Sequence, residues 1–435
     1  MIWFYRFFFL PLFLLFTCPY YLARMLKRGG YAKDFVHRFG FVPVLPPRKP
    51  GVHRIWIQAV SVGETEAVAP LLRDLKIRGN VEVILTTTTS TAYKIIREKY
   101  SDLVTAAACF PLDFWPASAL AWKRFKPSIA VLMEAELWPE HLMQARIRSV
   151  PVYVVNARLS DRSFRRYRAA GFLARPILSK VRYFCAGTKN DYDRFIALGV
   201  PERKISLTGN MKFDVSEGEI LTKKELAALK SELGFPADAS VLLGSSTWPG
   251  EEEFLLETFI EARKKFPSLR LLICPRHAER REEIAEIFKK TDLKWFLRSR
   301  TKPEDVPAEA DICIADTTGE LRKLTRLAQL AFVGKSLPPN NGGQTPIECA
   351  VLGVPVVYGP AMTNFKDVCQ SMEDCGAAVR VNDAAEAKAK ILELLADAPA
   401  RERMSAAAKN WHRDNQGATA RVVEFFEKMF SKHRA

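Results

Sequence analysis

A chain of 435 residues is too long for one ordinary core, and two domains of roughly 200 residues each fit its length. With 48% hydrophobic and 26% charged residues it is too apolar to be disordered. Its net charge of +16 sits in the first half: residues 1–200 hold 30 Lys/Arg against 14 Asp/Glu, while residues 201–435 hold 35 of each. That asymmetry calls for an anionic partner on the first half, either a phosphorylated substrate, an acidic lipid or a nucleic acid.

The first element is apolar. Seventeen uncharged residues separate Arg6 from Arg24, the lower limit for a helix that spans a bilayer, and Pro11 and Pro19 interrupt them. Trp3, Tyr5, Tyr20 and Tyr21 at its ends suit the headgroup level. Arg24, Lys27, Arg28, Lys33 and Arg38 follow, and such positive flanks stay cytoplasmic. Residues 1–28 are therefore expected to attach the chain to a membrane as an apolar helix, spanning it or lying in its interface. A membrane attachment favours an anionic lipid surface over nucleic acid as the basic half's partner.

From Arg54 onward short apolar runs alternate with amphipathic stretches. Strands are predicted at 55–60, 81–86, 129–133, 152–155 and 183–186, with helices at 65–78, 91–100, 137–148, 161–180 and 189–198. A polar break from Thr208 to Lys224 separates a first domain, 29–215, from a second, 216–435. There strands are predicted at 241–244, 269–274, 311–315, 330–333 and 354–358, and the tail from Ala384 reads as helices. This alternation predicts two α/β, Rossmann-like doubly wound domains. Such sheets bind ligands beyond the carboxyl ends of their strands, so the loops there should converge on one cleft between the domains. The eight cysteines form no Cys-x-x-Cys pair and the six histidines are scattered. They read as buried thiols in a reducing compartment, with no metal site and no cofactor.

Three loops of the first half carry chemistry. Ser61-Val62-Gly63-Glu64 ends the first strand and places a carboxylate at a helix start, where it serves as an acid/base group or only as a helix cap. The helix field there favours the ionised carboxylate and would lower its pKa unless a bound lipid desolvates it. Glu134 and Glu136 lie two residues apart at the end of another strand and suit shared acid/base and orienting work, or helix capping. Arg158, Arg162, Arg165 and Arg166 follow at helical spacing and form one face that suits phosphate or carboxylate, or is merely solvated.

In the second half, Ser246 and Thr247 precede a helix start whose amides suit an anion. Arg276 and His277 follow a strand. Gly334 and Lys335 open a loop that runs through Gly342, Gly343 and Gln344 to Glu348. The paired glycines allow close approach to a phosphate, and Glu348 is placed for ribose hydroxyls. Asn364 and Phe365 follow the next strand.

Taken together these segments resemble the 3-deoxy-D-manno-octulosonic acid (Kdo) transferases of lipopolysaccharide assembly, over nearly the whole chain. The resemblance rests on the apolar N-terminus, Arg38-Phe39-Gly40, Ser61 to Glu64, Glu134 to Pro139, Asn156 to Ser160, Thr208-Gly209-Asn210 with Lys212-Phe213-Asp214, Pro275-Arg276-His277, Asp316 to Leu321, Gly334 to Glu348 and Asn364-Phe365. It implies a GT-B fold, inversion without a metal, a CMP-Kdo donor and a lipid A precursor acceptor at the cytoplasmic face of the inner membrane. It also implies that Glu64 is the general base, that Glu134 and Glu136 are essential, and that the second domain holds CMP. The acceptor is assigned to Ser61, Gly63, Arg158, Arg162 and Arg165, and the donor to Ser246, Thr247, Arg276, His277, Gly334, Lys335, Gly342, Gly343, Gln344, Glu348 and Asn364. The chain departs from the family's pattern at Ala135, Glu140, Gln344 and Thr345, where Thr, Asn, His and Asn are usual. Two other readings remain at this point: a nucleotide-sugar 2-epimerase of the same fold, and a membrane-anchored scaffold for anionic lipids without chemistry.

Overall fold

The computed structural model describes residues 2–10, 12, 16–17, 32–214 and 221–432. The chain divides into two compact units, residues 1–215 with 415–435, and residues 216–414. The first is built on β1 (His53–Gln58), β2 (Val81–Thr87), β3 (Ala106–Cys109), β4 (Ile129–Met133), β5 (Val152–Ala157), β6 (Tyr183–Ala186) and β7 (Ile205–Leu207). They form one sheet of order β3-β2-β1-β4-β5-β6-β7, parallel at every pairing. Its central strands are buried on both faces, as Ile129–Met133 shows with five buried residues in a row, the signature of a parallel sheet covered by helices. The helices used below are α1 (Val62–Ile77), α2 (Pro139–Ile147), α3 (Asp161–Ala169) and α4 (Gly171–Leu178).

The second unit repeats the plan with β8 (Ser240–Thr247), β9 (Leu269–Pro275), β10 (Trp295–Leu297), β11 (Ile312–Ile314), β12 (Leu330–Val333), β13 (Val356–Tyr358) and β14 (Ala378–Arg380). Their order is β10-β11-β9-β8-β12-β13-β14, again parallel throughout. Helices α5 (Glu251–Arg263) and α6 (Ile347–Val351) flank its central loops. Strand order reverses between β1 and β4 in one sheet and between β8 and β12 in the other. In each sheet the switch point lies at the carboxyl ends of its own strands, where ligands of doubly wound sheets bind.

The chain's end departs from the expected division. Residues 216–435 do not all belong to the second unit, because the last helix, α7 (Ala418–Lys432), packs on the first. Val422, Val423 and Phe426 are buried there with Ala67, Val68 and Leu71 of α1. Asp214 caps this helix: its carboxylate accepts the amides of Gly417 at 2.7 Å, Ala418 at 3.2 Å and Thr419, satisfying orphan donors of the first turn.

The expected membrane helix lies largely outside the described residues. Its described part is a short helix, Ile2–Phe4, running into a π-helical turn, Tyr5–Phe9. Among the described residues no helix is long and apolar enough to cross a membrane. Two polar side chains of this segment reach the start of α2, Arg6 directly and Tyr5 through Asp113. Arg6 grips Glu140 with Nε and Nη2 at 2.7 and 2.8 Å, and Tyr5 donates to Asp113 at 2.6 Å. Asp113 accepts the amides of Glu140 and His141. Glu140 is wholly buried, so Arg6→Met strands its charge. That variant is expected to lose about 3–5 kcal/mol, and Arg6→Met/Glu140→Gln to regain most of it, both read by urea unfolding.

Candidate active site

The acidic site is built at the first switch point. β1 runs through Ala59 and Val60 into α1, whose N-cap is Ser61. Ser61 Oγ accepts the Glu64 amide at 3.4 Å, and the Glu64 carboxylate accepts the Ser61 hydroxyl at 3.0 Å and the Val60 amide at 2.9 Å. This reciprocal cap holds Glu64 in one orientation. A side-chain carbon added at Gly63 would meet no atom within 4 Å, so the surface beside Glu64 is open. From the neighbouring strand β4 come Glu134 and Glu136. Glu134 has a left-handed backbone, φ 56°, and its Oε1 takes a 2.6 Å ion pair from Lys212 Nζ. Glu136 accepts the Trp138 indole N–H at 2.7 Å.

These groups perturb one another. Burial, with Glu134 and Glu136 nearby, raises the pKa of Glu64 from the ordinary 4.5 to about 7, against the pull of its hydrogen bonds to Val60 and Ser61. The helix field at this position would by itself lower the pKa. Here that local field loses to burial and two like charges, and the result is a carboxylate poised near neutrality, as a general base needs. Burial, followed by the repulsion of Glu134, also raises the Glu136 carboxyl, although Trp138 counteracts it. Burial and the nearby Glu136 raise the Tyr167 hydroxyl.

The predicted arginine face is only partly realised. Arg162, Arg165 and Arg166 lie on α3 and are exposed, but Arg158 precedes the Ser160 cap and is not on the helix. The expected helix 161–180 breaks at Ala170 into α3 and α4. Beside the arginines, Phe172 is 78% exposed.

At the second switch point the loops after β8 and β12 meet. Ser246, with φ 55°, and Thr247 end β8, both buried, and Thr247 O accepts the Arg276 amide at 3.1 Å. Arg276 and His277 are exposed, and the His277 ring meets Trp248 edge-on at 5.2 Å. Gly334 and Lys335 follow β12, and Lys335 Nζ lies 4.4 Å from the centre of the Trp248 ring. The glycine pair differs from expectation. The amides of Gly342, Gly343 and Gln344 donate to Ala361, Lys335 and Gly334 carbonyls, so they do not form a phosphate cradle. The glycines instead permit close packing of two loops: side-chain carbons would lie 2.7 Å from Asn364 at Gly342 and 2.4 Å from Met362 at Gly343, both at positive φ. Gly343→Ala is expected to cost about 1–3 kcal/mol, tested by thermal unfolding. Glu348 sits in the first turn of α6, half-buried.

Four of the strained non-glycine residues, Glu134, Asn156, Ser246 and Lys335, stand at or just beyond the ends of β4, β5, β8 and β12. A left-handed backbone at such residues is uncommon and persists where the surroundings impose it, often at functional sites. Sequence reasoning missed the roles of Asn156, which accepts the Met211 amide at 3.1 Å, and of Lys212, which lies 78 residues from its partner Glu134. The residues 208–214 had read only as a domain break and as part of the family resemblance. Among the described residues no group of three His, Cys, Asp or Glu side chains is arranged to hold a metal ion.

Residues 33–215 match the family model of 3-deoxy-D-manno-octulosonic-acid transferase (kdotransferase), and residues 253–411 that of glycosyl transferases group 1. The chain is 30% identical over 413 residues to the 3-deoxy-D-manno-octulosonic acid transferase of Haemophilus influenzae, covering 94% of this chain and 92% of that one. It is 34% identical over 416 residues to the enzyme of the same name from Bordetella pertussis, covering 93% and 94%. A solved UDP-GlcNAc 2-epimerase from Neisseria meningitidis shares the fold, with a TM-score of 0.61 at 15% identity over 86% of this chain and 100% of that one. The two parallel sheets and the match over nearly the whole length with these transferases together establish that the chain belongs to the 3-deoxy-D-manno-octulosonic acid transferase family of glycosyltransferases.

Proposed function

We propose that this enzyme moves Kdo from CMP-Kdo to a sugar hydroxyl of a lipid A precursor, with inversion and without a metal ion. The observation that carries the reading is Glu64, a buried carboxylate with a pKa of about 7 beside open surface at the first switch point. In the proposed reaction Glu64 takes the acceptor hydroxyl proton. The acceptor oxygen attacks the anomeric carbon of Kdo, the bond from that carbon to the CMP phosphate oxygen breaks, and CMP leaves with the electron pair. Glu134 and Glu136 keep Glu64 a strong proton acceptor, and Lys212 balances Glu134. The second unit takes the donor, with Lys335 and Arg276 meeting its phosphate.

The first unit takes the lipid. Its excess of basic residues, the exposed arginines of α3 and the exposed Trp3, Phe8, Phe16 and Phe172 suit an anionic membrane surface. On this reading the N-terminal segment attaches the enzyme to the cytoplasmic face of the inner membrane.

The test is product analysis by mass spectrometry with CMP-Kdo, generated in place, and a tetra-acylated lipid A precursor. Growth of the acceptor by whole Kdo increments is the expected result. No increment, together with turnover of a UDP-sugar in the absence of acceptor, would replace this reading with epimerisation. Inertness in both assays, without stabilisation by CMP, would point to a scaffold.

A further inference from the structure

Among the buried carboxylates of the second unit that the mechanism leaves unused, Glu251 stands at the switch point. Glu251 opens α5 and is 1% exposed. Its Oε2 accepts the amides of Trp248 at 2.9 Å and Lys335 at 2.7 Å, and its Oε1 those of Ser336 at 2.9 Å and Leu337 at 3.2 Å. Four backbone donors from two loops thus converge on one side chain. The loops follow β8 and β12, the hydrogen-bonded neighbours on either side of the switch point. Clustered amides of this kind form an anion-binding nest, and here the chain supplies the anion itself.

The surroundings are fitted to that anion. A side-chain carbon at Gly334 would lie 2.7 Å from Glu251 Oε2 and 2.5 Å from the Ser246 carbonyl. Lys335 is held at φ 59°, which turns its amide to Glu251 and leaves its ammonium against the Trp248 ring. Asn340 of the second loop adds a 3.0 Å bond to the Pro249 carbonyl of the first. Remove the carboxylate, and four amides lose their common acceptor while the two loops lose their main tie.

We propose that Glu251 is a positioning residue of the donor site, locking the loops after β8 and β12 together so that Lys335 and Trp248 are preset for the CMP moiety. The proposal rests on the reading that the second unit takes the nucleotide. It also assigns the phosphate to side chains, because the Lys335–Leu337 amides are already occupied.

Glu251→Gln keeps the size but turns an amide N–H₂ towards N–H donors. CMP titration by calorimetry is expected to show affinity about tenfold weaker, with donor KM following and kcat at saturating donor within about twofold. In a Lys335→Met background the same substitution should cost only about threefold, since one of the two groups that Glu251 presets is gone. Glu251→Asp, which retains the charge at shorter reach, should give the same ordering at smaller size. A purely structural role predicts a lower melting temperature with unchanged CMP affinity below it, and an effect on binding independent of Lys335 predicts a full, additive loss on top of Lys335→Met. Either result, in the Gln or the Asp variant, overturns the proposal. The wild-type titration is run first: if it shows no CMP binding, the donor reading falls and takes the proposal with it, a failure distinct from that of Glu251 alone.

Discussion

Glu64→Gln is expected to lose Kdo transfer by about 10²- to 10⁴-fold, the contribution of a positioned general base, while binding CMP as the wild type does. Gln fills the same volume beside Ser61 and still accepts a hydrogen bond, so the cap of α1 survives, but it takes no proton. The same change should stabilise the fold at alkaline pH. Glu64 has a folded pKa of about 7 against an ordinary 4.5, so the folded state holds the proton more tightly. The resulting penalty on the folded state is absent below the ordinary value, grows as pH rises, and is complete above about pH 7. It amounts to about 3 kcal/mol at most. Weaker bonds from Val60 and Ser61 to the Gln side chain offset part of it, leaving a gain of about 1–2 kcal/mol at pH 8 and none at pH 4. Urea unfolding at the two pH values measures this, and a variant less stable than wild type at pH 8 contradicts it.

Lys212→Met should act through the proton affinity of the acidic cluster. Lys212 pairs with Glu134 at 2.6 Å, and both Glu134 and Glu136 oppose the ionisation of Glu64. Without the ammonium, three carboxylates face one another with less compensation, and the base becomes harder to ionise. The acid limb of the rate profile is expected to move up by about one pH unit, cutting transfer at pH 7 about fivefold and restoring most of it by pH 9. Lys212→Arg keeps the charge and should leave the limb in place. A Met variant slowed equally at every pH would mean that Lys212 serves only to hold the fold.

The parts of the fold that were legible share a physical cause. β4 and β12 are central strands buried on both faces, and their continuous apolar runs gave them the boundaries seen in the structure. The four strands that went unseen, Ala106–Cys109, Ile205–Leu207, Trp295–Leu297 and Ala378–Arg380, are the edges of the two sheets and are three or four residues long. Edge strands need little apolar surface and leave little pattern. The helix Trp115–Phe125 was also passed over, with Pro116 in its first turn and no side-chain cap to announce it. The final helix was read as a helix but given to the wrong unit, because its docking depends on Asp214, some two hundred residues earlier.

The site divides in the same way. Glu64, Glu134 and Glu136 were legible because each follows a strand, and topology brings strand ends together. Their pKa behaviour was not, since burial and neighbouring charges are tertiary. Lys212 and Glu251 were missed as participants for the same reason: their partners lie 78 and 84 to 86 residues away. The Gly342-Gly343 pair looked like a phosphate loop because the residues that claim its amides and crowd its α-carbons, Ala361, Met362 and Asn364 among them, are invisible to a local reading.

The central claim is that Glu64, ionising near neutrality in its acidic cluster, is the base for Kdo transfer. Its most direct test is the pH dependence of kcat/KM for the lipid acceptor at saturating donor. The rate should rise with pH through a midpoint near 7, because only the ionised carboxylate accepts the proton. A rate that stays flat from well below that midpoint to well above it would contradict the assignment.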